Sequence, residues 1–241
     1  MCENRYKTEN KEFIEQAFQK LYKRGWLAGL APSAITEADI AKFERKHRIK
    51  LPELFKAYLT SYQFQPFRRS ISGIMIAGLI CQNDEAKTIK LDTLEWYWIE
   101  NISELSDALN CFREEAREWD IPKEKYKNLV PFGYMDGWYC LDLNQLNQNI
   151  KTQENDSPVV LLRYGDNWTD FLDKEGFLHG EEVAPSFRTM LEWYFCGSLE
   201  KEYEKLNHVT VNYEFYQSWL HQIFKVVDLD ENRNLFEGKS K

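Results

Sequence analysis

The stretch Val130-Pro-Phe-Gly-Tyr-Met-Asp-Gly-Trp-Tyr-Cys-Leu-Asp-Leu143 decides the fold of this chain, because it holds two extended segments joined by a turn. Pro131 and Gly133 close the first segment, and the second opens at Trp138. Asp-Gly is a strong hairpin signal, since a tight turn needs residues that tolerate positive φ. Gly133 and Gly137 are therefore expected to supply backbone angles that side chains forbid. The stretch predicts an antiparallel β-hairpin.

Asp142 is the charged residue on the second strand of this hairpin. Alternation along a strand predicts that it shares a face with Trp138 and Cys140. Because an unpaired carboxylate is costly to bury, Asp142 needs a partner. Arg163 on the following strand is the candidate, and backbone amides near Gly133 are the alternative. Pinning the hairpin is favoured over ligand contact as the role of Asp142.

Helices and further strands surround the hairpin. Apolar spacing, capping patterns and prolines predict helices over about 9–23, after Thr36, after Leu51-Pro52, over 103–119, from Ser186 and over 213–227. Alternating and β-branched residues predict strands at 74–79, 88–91, 93–99 and 158–164. We find no linker long enough to separate domains, so a single domain over 1–241 is expected.

Composition limits the class of protein. The formal net charge is -8, which argues against nucleic acid as a ligand because phosphates are bound by clustered Lys and Arg. No apolar run is long enough to span a bilayer, and no secretory leader is visible. The cysteines are odd in number and scattered, without zinc-ligand spacing. We therefore expect a cytoplasmic protein with no cofactor, no metal and no membrane contact.

Aromatic and acidic residues outside the hairpin are the candidate contacts for a protein partner. Exposed aromatic side chains bordered by acids are typical of an interface hot spot, and negative charge steers a basic partner. Core packing is the alternative for each tryptophan. The candidate partner-binding residues are Trp96, Trp98, Asp84, Glu85, Asp136, Asp166, Trp168 and Asp170.

One grouping suggests catalysis. Asp170, Asp173 and His179 are near in sequence and could form a hydrolytic or metal site. The spacing is unspecific, and no cysteine or histidine lies in a nucleophile signature. We therefore assign no catalytic residue, and the protein is not expected to be an enzyme.

The order and spacing of these motifs resemble the SUKH superfamily, which includes fungal cell-wall assembly regulators and bacterial toxin immunity proteins. The resemblance covers about residues 30–197. It is carried by Ile35 to Phe43, Leu51-Pro52 to Leu59, Leu129 to Gly133, Asp136-Gly137-Trp138 to Asp142, Pro158 to Val160, and Ala184 to Leu191. The structural motif residues are Leu51, Pro52, Gly133, Gly137, Trp138, Asp142 and Arg163.

The resemblance implies an α+β fold, with helices packed around a curved, largely antiparallel sheet. The helices predicted over 9–23 and 213–227 are extensions outside this common core. It also implies a binding role. The leading hypothesis is an immunity protein that neutralises a cognate toxin, which is expected to be a basic protein such as a nuclease. An intracellular scaffold that binds a cellular protein is the alternative, and a small hydrolase is the third hypothesis. The toxin, the binding face and the oligomeric state are not determined by the sequence.

Overall fold

Helices and antiparallel strands alternate along the chain. A computed structural model describes residues 2–23, 27–66, 73–83, 88–97, 101–134, 137–145 and 156–196. All of them belong to one unit, Met1–Leu199. The helix predicted over 213–227 and the candidate contacts Asp84, Glu85, Trp98 and Asp136 lie outside the described residues. The single domain over 1–241 stays a prediction.

The helices and strands follow in this order. The helices are α1 Cys2–Lys23, α2 Glu37–His47, α3 Glu53–Ser61, α4 Ile102–Glu118, α5 Lys123–Tyr126 and α6 Phe187–Tyr194. The strands are β1 Leu27–Pro32, β2 Tyr62–Pro66, β3 Gly73–Asn83, β4 Thr88–Tyr97, β5 Leu129–Tyr134, β6 Gly137–Asp142, β7 Val159–Arg163 and β8 Glu181–Ala184. Short 3-10 turns occupy Leu143–Gln145 and Trp168–Phe171. The strands predicted at 88–91 and 93–99 are one continuous strand, β4.

The strands form two antiparallel sheets. β1 pairs with β2, and a six-stranded sheet has the order β3-β4-β5-β6-β7-β8. The predicted hairpin is β5 and β6, with Tyr134 opposite Trp138. Every neighbouring pair in the large sheet is antiparallel. The predicted α+β class with an antiparallel sheet is confirmed. Among the described helices, none combines the length and apolar character needed to cross a bilayer.

Helices cover both faces of the sheet around β6, and every residue of this strand is buried. On one face, Phe112 of α4 lies 6.0 Å from Trp138 between ring centroids. On the other face, Phe132 of β5 lies 5.9 Å from Phe55 of α3 and 5.5 Å from Phe187 of α6. Because both faces are covered, the strand shows little alternation between apolar and polar residues.

Gly137 is needed for space. A Cβ at this position would lie 2.1 Å from the backbone oxygen of Leu162 in β7, so any side chain would push the two strands apart. Its φ of 159° is close to extended backbone, which differs from the left-handed turn angle that the sequence suggests. Gly133 lies in β5 opposite Trp96 of β4, at a shift in the register of β5 and β6. Such a shift is a β-bulge or a related irregularity.

Leu51 and Pro52 connect α2 to α3 as a structural motif. Pro52 is the N-cap residue of α3, where its missing N–H costs nothing. The amide of Leu51 donates to Glu44 Oε1 of α2 at 2.8 Å, and Lys56 Nζ of α3 lies 3.0 Å from the same oxygen. The Glu44 carboxylate of α2 therefore contacts both the connection, at Leu51, and the next helix, at Lys56. The capping box predicted at Thr36 begins α2.

Candidate functional site

The segment between β7 and β8 carries most of the described candidate contacts. We call residues 164–182 the acidic loop, because its acids outnumber its basic residues. The acids are Asp166, Asp170, Asp173, Glu175, Glu181 and Glu182, against Lys174 and His179. Asp170, Glu175, Glu181 and Glu182 are exposed. The loop thus presents negative charge to solvent.

Trp168 anchors this loop and does not present its ring to a partner. It is 1% exposed and stacks on Phe112 of α4 with 5.6 Å between ring centroids. The indole Nε1 donates to the backbone oxygen of Arg163 at 3.1 Å, which satisfies its polar atom. The prediction of Trp168 as a partner contact is wrong, because α4 covers the ring.

Tyr164 is the large aromatic residue that the loop does expose. It is 52% exposed, at the turn that follows β7. Asn167 caps the next turn by accepting from the amide of Thr169 at 3.2 Å, and its side-chain nitrogen donates to Asp170 Oδ1 at 3.2 Å. Tyr164 and Asp170 therefore stand on either side of a hydrogen-bonded turn. The sequence analysis did not select Tyr164, since no local pattern distinguishes an exposed Tyr from a buried one.

His179 links the end of the loop to the centre of the sheet. Its Nδ1 lies 2.6 Å from Asp142 Oδ2, and its Nε2 lies 2.9 Å from Asp173 Oδ2. Asp142 is fully buried and also accepts from the amide of Asn144 at 2.9 Å. The buried carboxylate at the end of β6 is thus paired with an imidazole from the loop. We call Asp142, His179 and Asp173 the histidine clasp.

The two carboxylates of the clasp favour the positively charged form of His179. Burial opposes this charge, but the hydrogen bonds to Asp142 and Asp173 outweigh it, and the pKa of His179 is raised above its ordinary value. The hydrogen bond from His179 lowers the pKa of Asp173. A carboxylate oxygen lies at each ring nitrogen, and only the imidazolium form can donate from both. The arrangement therefore favours the protonated form of the ring.

Arg163 is not the partner of Asp142, and that prediction is wrong. In the register of β6 and β7, Arg163 lies opposite Gly137, whereas Asp142 is at the other end of β6. Arg163 instead pairs with Glu181 of β8, Nε to Oε2 at 3.2 Å, with both side chains about half exposed. The antiparallel register is the physical reason, since it reverses the direction of β7 against β6.

The described clasp does not fit a hydrolytic site. A general base needs a free nitrogen lone pair, but both nitrogens of His179 face carboxylates. The structure does bring Asp173 and His179 together, as their spacing suggested, while Asp170 bonds to Asn167. Within the part of the chain that the structure describes, no group of three or more His, Cys, Asp or Glu side chains is arranged to hold a metal ion.

A second contact holds the middle of the loop to α5. The amide of Leu178 donates to the backbone oxygen of Lys125 at 3.0 Å. The Lys125 ammonium lies 4.2 Å from the centroid of the Phe177 ring and also donates to the backbone oxygen of Glu175. Trp168, the clasp and Lys125 therefore fix three points of the acidic loop, and a surface held in this way loses little conformational entropy on binding.

Two comparisons with known proteins bear on this architecture. Residues 34–193 match the model of the SMI1 / KNR4 family (SUKH-1). A search of curated proteins finds no match. The matched region contains the hairpin, the Leu51-Pro52 connection, the acidic loop and the histidine clasp. Since it spans well over half of the chain, the protein belongs to the SMI1 / KNR4 family (SUKH-1).

Proposed function

We propose that this protein is an immunity protein, which binds a cognate toxin through the acidic loop and blocks it by direct association. The family includes toxin immunity proteins, and this supports the class of function. The observation that carries the choice of surface is the acidic loop itself. It is fixed to the core at Trp168 and His179 while Tyr164 and Asp170 remain exposed.

The chemistry of the loop favours a basic partner. The loop carries four exposed acids, listed above, and an exposed tyrosine, so a partner with clustered Lys or Arg would find opposite charge and an aromatic anchor on the same segment. Enzymes that act on nucleic acid carry such basic surfaces. A basic nuclease is therefore the toxin class that we propose, with inhibition in the cytoplasm by occupation of its substrate surface.

A regulatory scaffold that binds a cellular protein is the second candidate. The SMI1 / KNR4 name of the family supports it, and the same acidic loop would serve as the contact. The two functions differ in the partner and not in the chemistry of the surface. Neither requires a catalytic residue or a cofactor in this chain.

The test begins by searching for a toxin gene immediately beside the gene for this protein, and then co-expresses the two, scored as growth. The wild type is expected to restore growth. A variant with Tyr164→Ala, Asp166→Lys and Asp170→Lys is expected to fail, with affinity for the purified toxin lowered by at least about a hundred-fold, because it loses an aromatic anchor and reverses two charges.

The matched control reverses two exposed acids of α4, Asp107→Lys and Glu114→Lys, and should keep full protection. Circular dichroism and urea denaturation establish that both variants fold. If the loop variant protects as well as the wild type, the acidic loop is not the interface. If no neighbouring toxin is bound and a cellular protein is captured through the loop, the scaffold function replaces immunity.

A further inference from the structure

Arg113 of α4 is a buried cation with few partners. It is 9% exposed, in the interface between α4 and α2, and its Nη1 lies 3.4 Å from His47 Nδ1. His47 is the last residue of α2, and its Nε2 lies 3.2 Å from Ser106 Oγ on α4. We call these three residues the Arg113 cluster.

One donor of Arg113 is buried and unused within the described residues, and another makes only a long contact. A guanidinium presents five N–H donors, and burial makes each unpaired donor costly. Arg113 Nε is buried and has no hydrogen-bond partner. The contact to His47 is at the long limit of a hydrogen bond, against a usual distance of about 2.9–3.0 Å. A buried donor without a partner in the protein usually donates to an ion or a water molecule.

The groups around the cluster make the local charge positive. Burial lowers the pKa of His47, and the charges of Arg113 and Lys46 lower it further. Burial also lowers the pKa of Arg113, against a smaller opposite effect of the Tyr126 phenol, and the charge of Arg117 adds to the lowering. In the described part of the chain, no carboxylate forms an ion pair with Arg113. Arg113 therefore has no carboxylate partner among the described residues, although the net charge of the whole protein is -8.

We infer that the Arg113 cluster, between the end of α2 and the middle of α4, is a binding site for a small oxyanion such as phosphate. The guanidinium fork matches the oxygen spacing of a phosphate or carboxylate group and would donate through its unused N–H groups. Ser106 Oγ is a further donor within the cluster, although it now lies 3.3 Å from the backbone oxygen of Ile102.

The size of the ligand follows from the burial. Arg113 is 9% exposed as a residue, so a single compact group can reach it and an extended surface cannot. Free phosphate is therefore the ligand that we propose, and the carboxylate of acetate is the second source of the same chemistry. Bound anion would stabilise a protonated His47, because it would replace the repulsion of Arg113 by attraction.

The experiment is an NMR titration of the full-length protein with inorganic phosphate, at constant pH and with sodium chloride replaced to hold the ionic strength. The expected result is a saturable shift of the His47 ring signals. A separate pH titration, with and without saturating phosphate, should give a higher pKa for His47 when phosphate is bound. Acetate is titrated in parallel. Saturation by phosphate with an affinity at least about ten-fold above that for acetate identifies phosphate as the ligand, whereas the reverse order overturns that choice.

Arg113→Met keeps the length of the side chain without the charge, and it should abolish the saturable response. Arg117→Gln removes an exposed charge one helical turn away and should keep the phosphate affinity within about two-fold. His47 signals in the wild type that do not shift when phosphate replaces sodium chloride at constant ionic strength would overturn the site. So would an equal loss in both variants, because diffuse charge would then explain the response. The His179 signals serve as an internal check that each variant is folded.

Discussion

His179 and His47 are the same residue type in opposite surroundings. His179 has a carboxylate at each ring nitrogen, and its pKa is raised. His47 has a guanidinium at one ring nitrogen and a hydroxyl at the other, and its pKa is lowered. Both rings are partly buried, and burial lowers both pKa values. Burial acts in the same direction on both rings, so the neighbouring groups account for the difference: two carboxylates raise the pKa of His179, and a guanidinium adds to the lowering at His47.

The acidic loop and the Arg113 cluster differ in how their charges are compensated. In the acidic loop, charge is compensated internally by the clasp, and the remaining acids point to solvent, where a partner can reach them. In the Arg113 cluster, the described neighbours leave a buried charge uncompensated. The first arrangement suits a preorganised protein interface, and the second suits a site that is completed by an ion.

The largest expected effect on stability concerns Trp168, which anchors the acidic loop to α4, the helix that also carries Arg113. Trp168 of the loop stacks on Phe112, which immediately precedes Arg113 in α4. Trp168→Ala should lower the free energy of unfolding by about 3–5 kcal/mol, since it leaves a large cavity in the core. Urea denaturation measures this. Trp119→Ala, at a less buried ring 6.5 Å away, should cost clearly less, and equal losses would mean that Trp168 has no special role as the anchor.

The second prediction concerns the clasp. Asp142→Ala removes the buried carboxylate opposite His179, and we expect a loss of about 3 kcal/mol in the free energy of unfolding, because His179 then keeps only the partly exposed carboxylate of Asp173. Asp173→Ala removes the other, partly exposed carboxylate and should cost less. The two losses are compared by urea denaturation. A greater loss for Asp173→Ala would contradict the assignment of Asp142 as the main partner.

The third prediction is a pair of opposite pH dependences. The folded pKa of His179 is raised, so its stabilisation is complete below about pH 6.5 and is lost as the pH rises through the folded pKa. The folded pKa of His47 is lowered, so its contribution is complete above about pH 6.5 and is lost as the pH falls through the folded pKa. NMR titration of both rings should give values on opposite sides of the ordinary pKa.

The stability profile checks the same point independently. His179→Gln should remove the loss of stability on the alkaline side, and His47→Gln should remove the loss on the acidic side. Urea denaturation across the pH range measures both. If His179 and His47 both titrate at the ordinary pKa of histidine, the predicted opposite shifts are wrong.

The smallest expected effect concerns Arg163. Its ion pair with Glu181 is about half exposed, so Arg163→Met should change the free energy of unfolding by less than about 0.5–1 kcal/mol. A double-mutant cycle with Asp142→Ala should be additive, because the two residues lie at opposite ends of β6 in the sheet register. A coupling above about 1 kcal/mol would restore the pairing that the sequence suggested.

Local sequence was sufficient for several parts of the fold. The capping box at Thr36, the hairpin around Gly137 and the start of α3 after Pro52 depend on hydrogen bonds and sterics within a few residues. Such features can be recognised from short patterns. The order of these patterns also identified the family, since spacing along the chain is a property of the sequence itself.

Asp166 and Asp170 lie in the acidic loop, where Gly, Asp and Asn together indicate a turn, and their role as partner contacts stays a prediction. Trp168 was misassigned because the ring that covers it, Phe112, is far away in sequence. Whether an aromatic side chain is exposed depends on what packs over it, and no local pattern contains that information.

The sequence by itself determined the caps, the hairpin, the family and the net negative charge, because each is set locally or by simple summation over residues. Only the tertiary structure decided the partners of the charged groups. Asp142 meets His179 across 37 positions and His47 meets Arg113 across 66, through strand register and helix packing. Coulomb interactions depend on distance in space, so the charge of each histidine is settled only when the chain has folded.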